Sequence, residues 1–224
     1  MKLFAFERVS FPDPRLAVDE GIIDFSDDLR VERLLEAYSF GIFPWPHEEL
    51  PTLWFCPEKR GVLDFENFRQ PQSFQKAMRK SSFTFSLNQN FDLVLEACAL
   101  ATRPNQHGTW ITSKLSRAYR DFHRAGYAHS LEVWQGAELV GGMYGVYVAG
   151  VFCGESMFFR KSGASKFALV QMIEFLRVKG LTWIDIQMVT PVLEQFGGTY
   201  ISRESFLDRL ETAKLNARPI EFKI

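Results

Sequence analysis

Residues 139–188 read LVGGMYGVYVAGVFCGESMFFRKSGASKFALVQMIEFLRVKGLTWIDIQM. The pattern predicts two strands, Leu139–Val148 and Val151–Phe159, joined at Ala149-Gly150, where glycine supplies the positive φ of a tight hairpin. A two-residue repeat then puts Val151, Cys153, Glu155, Met157 and Phe159 on one face of the second strand. Phe167, Leu169, Val170, Ile173 and Leu176 recur at helical spacing, so a helix starts near Ser162 or Ser165 and stops at Gly180. A third strand, Leu181–Met188, places Trp183, Asp185 and Gln187 on a common face. Two carboxylates, Glu155 and Asp185, thus sit in hydrophobic strands. A buried carboxylate costs several kcal/mol unless something pairs with it. Each needs an ion pair, with Arg160 or Lys166 in reach, an exposed face, or a functional site.

Working outward, the 224-residue chain is long enough for one large domain with a small appendage. Its 46% hydrophobic and 24% charged residues place it in the globular class. No run of about 18 uncharged apolar residues suggests a spanning helix. The opening MKLFAFERVSFPDPR is interrupted by Glu7 and Arg8 and lacks a signal-type stretch, so a cytoplasmic protein without a membrane partner is expected. Cys56, Cys98 and Cys153 are widely spaced and read as free thiols. His47, His107, His123 and His129 show no ligand spacing, and no metal is expected. A net charge of −1 gives no long-range attraction to nucleic acid, so any such binding needs a local patch.

Residues 1–60 read as a small N-terminal domain and 61–224 as the main one. The first contains a helix from about Asp27 to Phe40, with Ser26 or Asp27 as its cap. GIFPWP and LWFCPEKRGVL follow, too rich in proline and tryptophan for a regular element, and read as a stiff aromatic loop. Trp45 and Trp54 there are either core or the wall of a pocket. Lys76, Arg79 and Lys80, preceded by Lys59, Arg60 and Arg69, share a face of an expected helix: a solvated side or a phosphate-contacting strip. Beyond lie a strand at Phe83–Leu87, a helix at Phe91–Leu100, a helix capped by Thr112 or Ser113, and a strand at His129–Trp134. A helix opens at Thr190-Pro191, a short extended piece starts at Tyr200-Ile201, and a last helix, Ser205–Leu215, has Ser202 or Ser205 as cap. The fold class is α/β (α+β), a sheet with helices packed on it.

GIFPWP, LWFCPEKRGVL, GTWIT, AYRDFHRAGYAHSLEVW, ELVGGMYGV, VFCGESMFFR, ASKFAL and IDIQ resemble, in order and spacing, the leucyl/phenylalanyl-tRNA–protein transferase family, from about residue 29 to residue 210. The resemblance implies a GNAT-like mixed sheet with flanking helices behind a small N-terminal domain. It also implies transfer of Leu or Phe, with Met as a third, from aminoacyl-tRNA to the N-terminal Arg or Lys of acceptor proteins, marking them for degradation. Asp185 and Gln187 match the family's D-x-Q strand and Glu155 its GESMF glutamate, giving the catalytic set. Met143, Phe152, Met157, Leu169 and Ile184 would line the aminoacyl pocket. Trp45 and Trp110, with Tyr119 nearby, match positions packing on the terminal adenosine, and Lys76, Arg79 and Lys80 a region suited to acceptor-stem phosphates. No cofactor is implied, since the ester is already activated, and a monomer is expected. Departures from the family pattern are Trp54-Phe55-Cys56-Pro57, Gly163, and Thr190, Pro191 and Val192. Two rival readings remain: an acetyl-CoA-dependent N-acetyltransferase, through Arg160-Lys161-Ser162-Gly163-Ala164 as a pyrophosphate loop, and a non-catalytic tRNA- or peptide-binding adaptor.

Overall fold

The computed structural model describes residues 11–17, 20–46, 50–101 and 110–223. The first ten residues of the stretch read for a leader, together with His47, His107 and the Gly108-Thr109 start of GTWIT, lie outside them.

The chain begins its regular structure with β1 (Ile22–Phe25), α1 (Val31–Ser39), β2 (Phe43–Trp45) and β3 (Leu53–Phe55). The segments expected as an aromatic loop therefore contain strands: β2 and β3 pair with β1 in the order β1-β3-β2, and residues 59–63 enter the main sheet. Pro44 is tolerated because β2 is an edge strand, where a missing N–H breaks no ladder. Trp54 anchors this sheet: fully buried, it donates from Nε1 to the Ser26 carbonyl at 3.1 Å and meets the Phe11 ring edge-on. The helix begins later than expected. Asp27 accepts from the Thr52 N–H, and the Ser26 N–H donates to the Thr52 carbonyl, so both residues fasten β3 instead of capping α1.

The main sheet is fed by β4 (Lys59–Asp64), α2 (Gln72–Met78), β5 (Thr84–Leu87), α3 (Phe91–Leu100), α4 (Ser113–Arg124), β6 (Ala128–Gln135) and β7 (Glu138–Val148). It continues with β8 (Val151–Phe159), α5 (Ala164–Val178), β9 (Trp183–Gln187), α6 (Pro191–Gln195), β10 (Thr199–Ser202) and α7 (Arg203–Leu215). Its seven strands run β10-β4-β9-β8-β7-β6-β5, every neighbouring pair antiparallel except β8 and β9. This is a mixed α/β sheet flanked by helices. Helices α1, α3, α4 and α7 and the small sheet bury Leu34, Val94, Tyr119 and Phe206 on one face; α2, α5 and α6 bury Phe74, Ile173 and Leu193 on the other.

The hairpin at its centre turns where expected, with Ala149 and Gly150 both at positive φ, 55° and 79°. That is the two-residue turn whose twist matches the strands it joins. Thr112, Thr190 and Ser202 cap α4, α6 and α7 through their side chains. The C-terminal segment, without regular structure, inserts Phe222 into the second face, stacked at 3.7 Å on His129 and packed beside Phe152 and Phe175.

Candidate active site

Strands β8 and β9 touch as a parallel pair only where Cys153 faces Asp185. Just beyond that contact both strands leave regular geometry. On β8 the register with β7 passes from Gly145 opposite Gly154 to Tyr144 opposite Ser156, so Glu155 is a bulged extra residue. On β9 Gln187 adopts φ 57°, a left-handed conformation that costs a residue with a side chain about 1–2 kcal/mol. The bulge breaks the alternation expected of β8: Cys153 belongs to one face of the sheet and Met157 to the other.

Between the two irregular ends lies a cavity of about 320 Å³. Met143, Met157, Leu169 and Ile184 form its apolar wall, Glu155 and Gln187 its polar side, and Trp45 and Trp110 border it. The two indoles stack on each other, centroids 5.5 Å apart and planes 9° from parallel, so a further ring can stack only on an outer face.

The polar side is a single network. Glu155 Oε1 accepts from Gln187 Nε2 at 2.9 Å, and Oε2 from the Tyr119 hydroxyl at 2.9 Å, which is 2.6 Å from that of Tyr38. Burial pushes the Glu155 carboxyl above its ordinary range, opposed by the hydroxyl donors. Burial likewise pushes both phenols well up, so they stay protonated and able to donate. Gln187 Nε2 also lies 3.3 Å from Cys153 Sγ. The thiol, pushed well up by burial, donates to Asp185 Oδ2 at 3.2 Å. With its NH2 group committed to Glu155 and Cys153, Gln187 presents its amide oxygen as the acceptor that remains.

Asp185 is elsewhere than expected. It is 3% exposed and does not border the cavity. Its Oδ1 accepts from Arg60 Nε at 2.9 Å and from the Gln187 main-chain N–H at 2.9 Å, and its Oδ2 from Arg60 Nη2 at 2.6 Å and from Cys153. Burial opposes the Arg60 charge, but the charge and hydrogen bonds of Asp185 more than offset it, and the guanidinium stays protonated. Neither Arg160 nor Lys166 pairs with either carboxylate. Phe152 and Tyr119 also stand back from the cavity: Phe152 lies fully buried against Phe222, and Tyr119 is reached only through Glu155. Of Lys76, Arg79 and Lys80, all exposed, only Lys76 lies within α2, because the helix ends at Met78.

Arg60 and Cys153 are parts of this network that the sequence reading does not single out. Beside Lys59, Arg60 reads as surface charge, although the Gly61, Val62 and Leu63 that follow it mark a strand buried on both faces. Ser156, Ile186, Met188, Thr190 and Leu193 also border the cavity. The three cysteines are buried and form no disulfide, and among the described residues no group of His, Cys, Asp and Glu is arranged to hold a metal.

The family profile described as leucyl/phenylalanyl-tRNA protein transferase matches residues 62–211, and that of its N-terminal domain residues 27–58. The chain belongs to this family. It is 42% identical over 219 residues to the leucyl/phenylalanyl-tRNA–protein transferase of Oleidesulfovibrio alaskensis, covering 95% of this chain and 88% of that one. The corresponding proteins of Anaeromyxobacter sp. and Pseudoalteromonas atlantica are 44% and 43% identical, each over 95% of this chain and 92% of theirs. As a member of the leucyl/phenylalanyl-tRNA–protein transferase family the chain is an aminoacyltransferase. The acetyltransferase alternative is not favoured by these relatives, and the side chains of its loop are engaged within the chain. Arg160 donates to the Leu139 carbonyl, Lys161 pairs with Glu138 and Gln135, and Gly163, at φ 86°, serves as the entry to α5.

Proposed function

We propose that the cavity between β8 and β9 seats the side chain of a leucyl or phenylalanyl group on its tRNA, and that Gln187 and Glu155 ready the N-terminal amine of an acceptor protein to attack it. The acceptor would carry N-terminal Arg or Lys, and its new N-terminal residue would mark it for degradation. The observation that carries this reading is that Gln187 and Glu155, hydrogen-bonded to each other, border the same cavity as Met143, Met157 and Leu169. Methionine walls adapt to groups unbranched at the β carbon, aliphatic or aromatic. A branch at the β carbon would meet a wall, and one misplaced methyl is worth only about 1–3 kcal/mol, so selection is strong but leaky.

The amine attacks the ester carbonyl, forming the C–N bond and a tetrahedral oxyanion. Collapse breaks the bond to the ribose 3′-oxygen, which leaves with the proton the nitrogen gives up. An amide is too weak a base to hold that proton. The Gln187 oxygen instead accepts a hydrogen bond from the amine and orients its lone pair, while Glu155 fixes which end of the amide faces the cavity. Most of the acceleration comes from this positioning and from fixed dipoles around the oxyanion. Asp185 acts beneath the cavity, through the Gln187 main chain. The terminal adenosine stacks on the outer face of the Trp45–Trp110 pair, and Lys76, Arg79 and Lys80 contact acceptor-stem phosphates as a monomer binds its tRNA.

The test is incubation with radiolabelled Leu-tRNA or Phe-tRNA and a protein bearing N-terminal Arg. Label is expected on the protein with both donors. Absence of label with both would overturn the reading.

A further inference from the structure

Arg60 is 1% exposed and, unlike Glu155 and Gln187, does not border the cavity. Resting on the transfer reaction proposed above, we propose that Arg60 and its neighbour Gly61 clamp the left-handed bend at Gln187, which makes Arg60 a positioning residue for the reaction.

The guanidinium is held on every side. Its Nε and Nη2 form a two-pronged bond with Asp185, its Nη1 donates to the Gly41 carbonyl at 3.0 Å, and the rings of Phe43 and Phe206 lie 4.6 and 4.4 Å from its carbon. This fixes the plane of the Asp185 carboxylate. The same Oδ1 that accepts from Arg60 accepts the Gln187 main-chain N–H. From the other side, β4 presents Gly61 opposite Gln187, and the register slips by one residue between Gly61 and Val62. A Cβ on Gly61 would lie 2.9 Å from the carbonyl carbon of Met188 and 3.1 Å from that of Gln187, so only glycine leaves room for the bend. The bend in turn aims the amide at Glu155 and Cys153. Two successive residues of β4 thus set the acceptor oxygen of Gln187 without touching the substrate.

A role in neutralising Asp185 alone makes a different prediction, because lysine at position 60 keeps the charge and loses the planar fork. The experiment uses the full chain carrying Arg60→Lys or Gly61→Ala. It reads single-turnover transfer of labelled Phe from saturating Phe-tRNA to a peptide with N-terminal Arg, with Phe-tRNA affinity measured separately by filter binding. Misplacement by a fraction of an ångström to 1 Å lowers the rate by about 10- to 100-fold. That loss is expected in both variants, with affinity within about threefold of wild type. A rate within about threefold of wild type in either folded variant, or a loss lying wholly in affinity, overturns the clamp. Should Arg60→Lys fail to melt cooperatively, Gly61→Ala, which removes no charge and no hydrogen bond, decides alone. Absence of transfer by the wild-type chain would overturn the reaction itself, and the clamp with it.

Discussion

Replacing Glu155 by Gln keeps the length of the side chain and removes its charge. The carboxylate accepts two hydrogen bonds, from Gln187 Nε2 and from the Tyr119 hydroxyl. The neutral amide can satisfy both only if its oxygen keeps Gln187 and the two phenols reverse, Tyr119 accepting and donating onward to Tyr38. The contacts among residues 155, 187, 119 and 38 are then all kept, the Tyr38 hydroxyl hydrogen giving up its acceptor, and the fold survives. What is lost is charge assistance, which brings each bond from roughly 1.5–3 kcal/mol to about 1 kcal/mol. Two bonds lose roughly 1–4 kcal/mol together. At about 1.4 kcal/mol per tenfold, a midpoint near 2.5 kcal/mol lowers the transfer rate roughly sixtyfold if the loss falls on the orientation of the Gln187 amide. The assay is single-turnover transfer from Phe-tRNA with the acceptor peptide titrated at each step. The expected result is a fall in the maximal rate with acceptor KM nearly unchanged. A change confined to acceptor KM would refute this reasoning and make Glu155 the site that holds the cationic N-terminal residue.

Further outcomes follow from the packing and the buried charges. Met157→Ala enlarges the wall of the cavity and should relax donor choice toward Ile- and Val-tRNA, read as relative transfer rates; an unchanged profile would remove Met157 from the aminoacyl pocket. His129 is held near pKa about 3, against 6.5 unperturbed, by burial first and by the charge of His123 second. The folded state therefore binds fewer protons than the unfolded one, and stability present above pH about 6.5 is lost as pH falls toward about 3. The ceiling is roughly 5 kcal/mol, checked by urea unfolding at stepped pH, with His129→Gln flattening the acid limb. Phe222→Ala empties a buried aromatic site, 6% exposed, and should cost about 3–5 kcal/mol, a drop in Tm of roughly 6–20 °C by calorimetry.

The β7–β8 hairpin, the helix to Gly180 and the capped starts at Thr112, Thr190 and Ser202 were legible because each rests on a local signal: alternation, a glycine at positive φ, or a hydroxyl before an apolar run. The aromatic–proline segments read as a loop because Pro44 breaks a strand by propensity, and only its edge position, a property of the assembled sheet, makes it acceptable. The site shows the same division. Gln187 and Glu155 were reachable from alternation and family likeness. The bulge that sends Met157 to the opposite face from Cys153 was not, because one extra residue leaves no mark on a two-residue repeat. Arg60 was hidden for a related reason: its partner is 125 residues away, and next to Lys59 it reads as surface charge. Alternation puts Asp185 and Gln187 on one face, but the extra residue of β9 opposite Gly61 and Val62 and the left-handed turn at Gln187 part the two side chains, and only Gln187 borders the cavity.

Whether the gap between β8 and β9 receives the aminoacyl group beside the Gln187 amide is visible in a crystal structure with phenylalanine joined by an amide bond to 3′-amino-adenosine, which cannot be cleaved by transfer. The phenyl ring is expected between Met143, Met157 and Leu169, the adenine on an outer face of the Trp45–Trp110 pair, and the reactive carbonyl beside Gln187. Density for the phenyl group anywhere outside that gap, with Gln187 and Glu155 untouched, would contradict this placement.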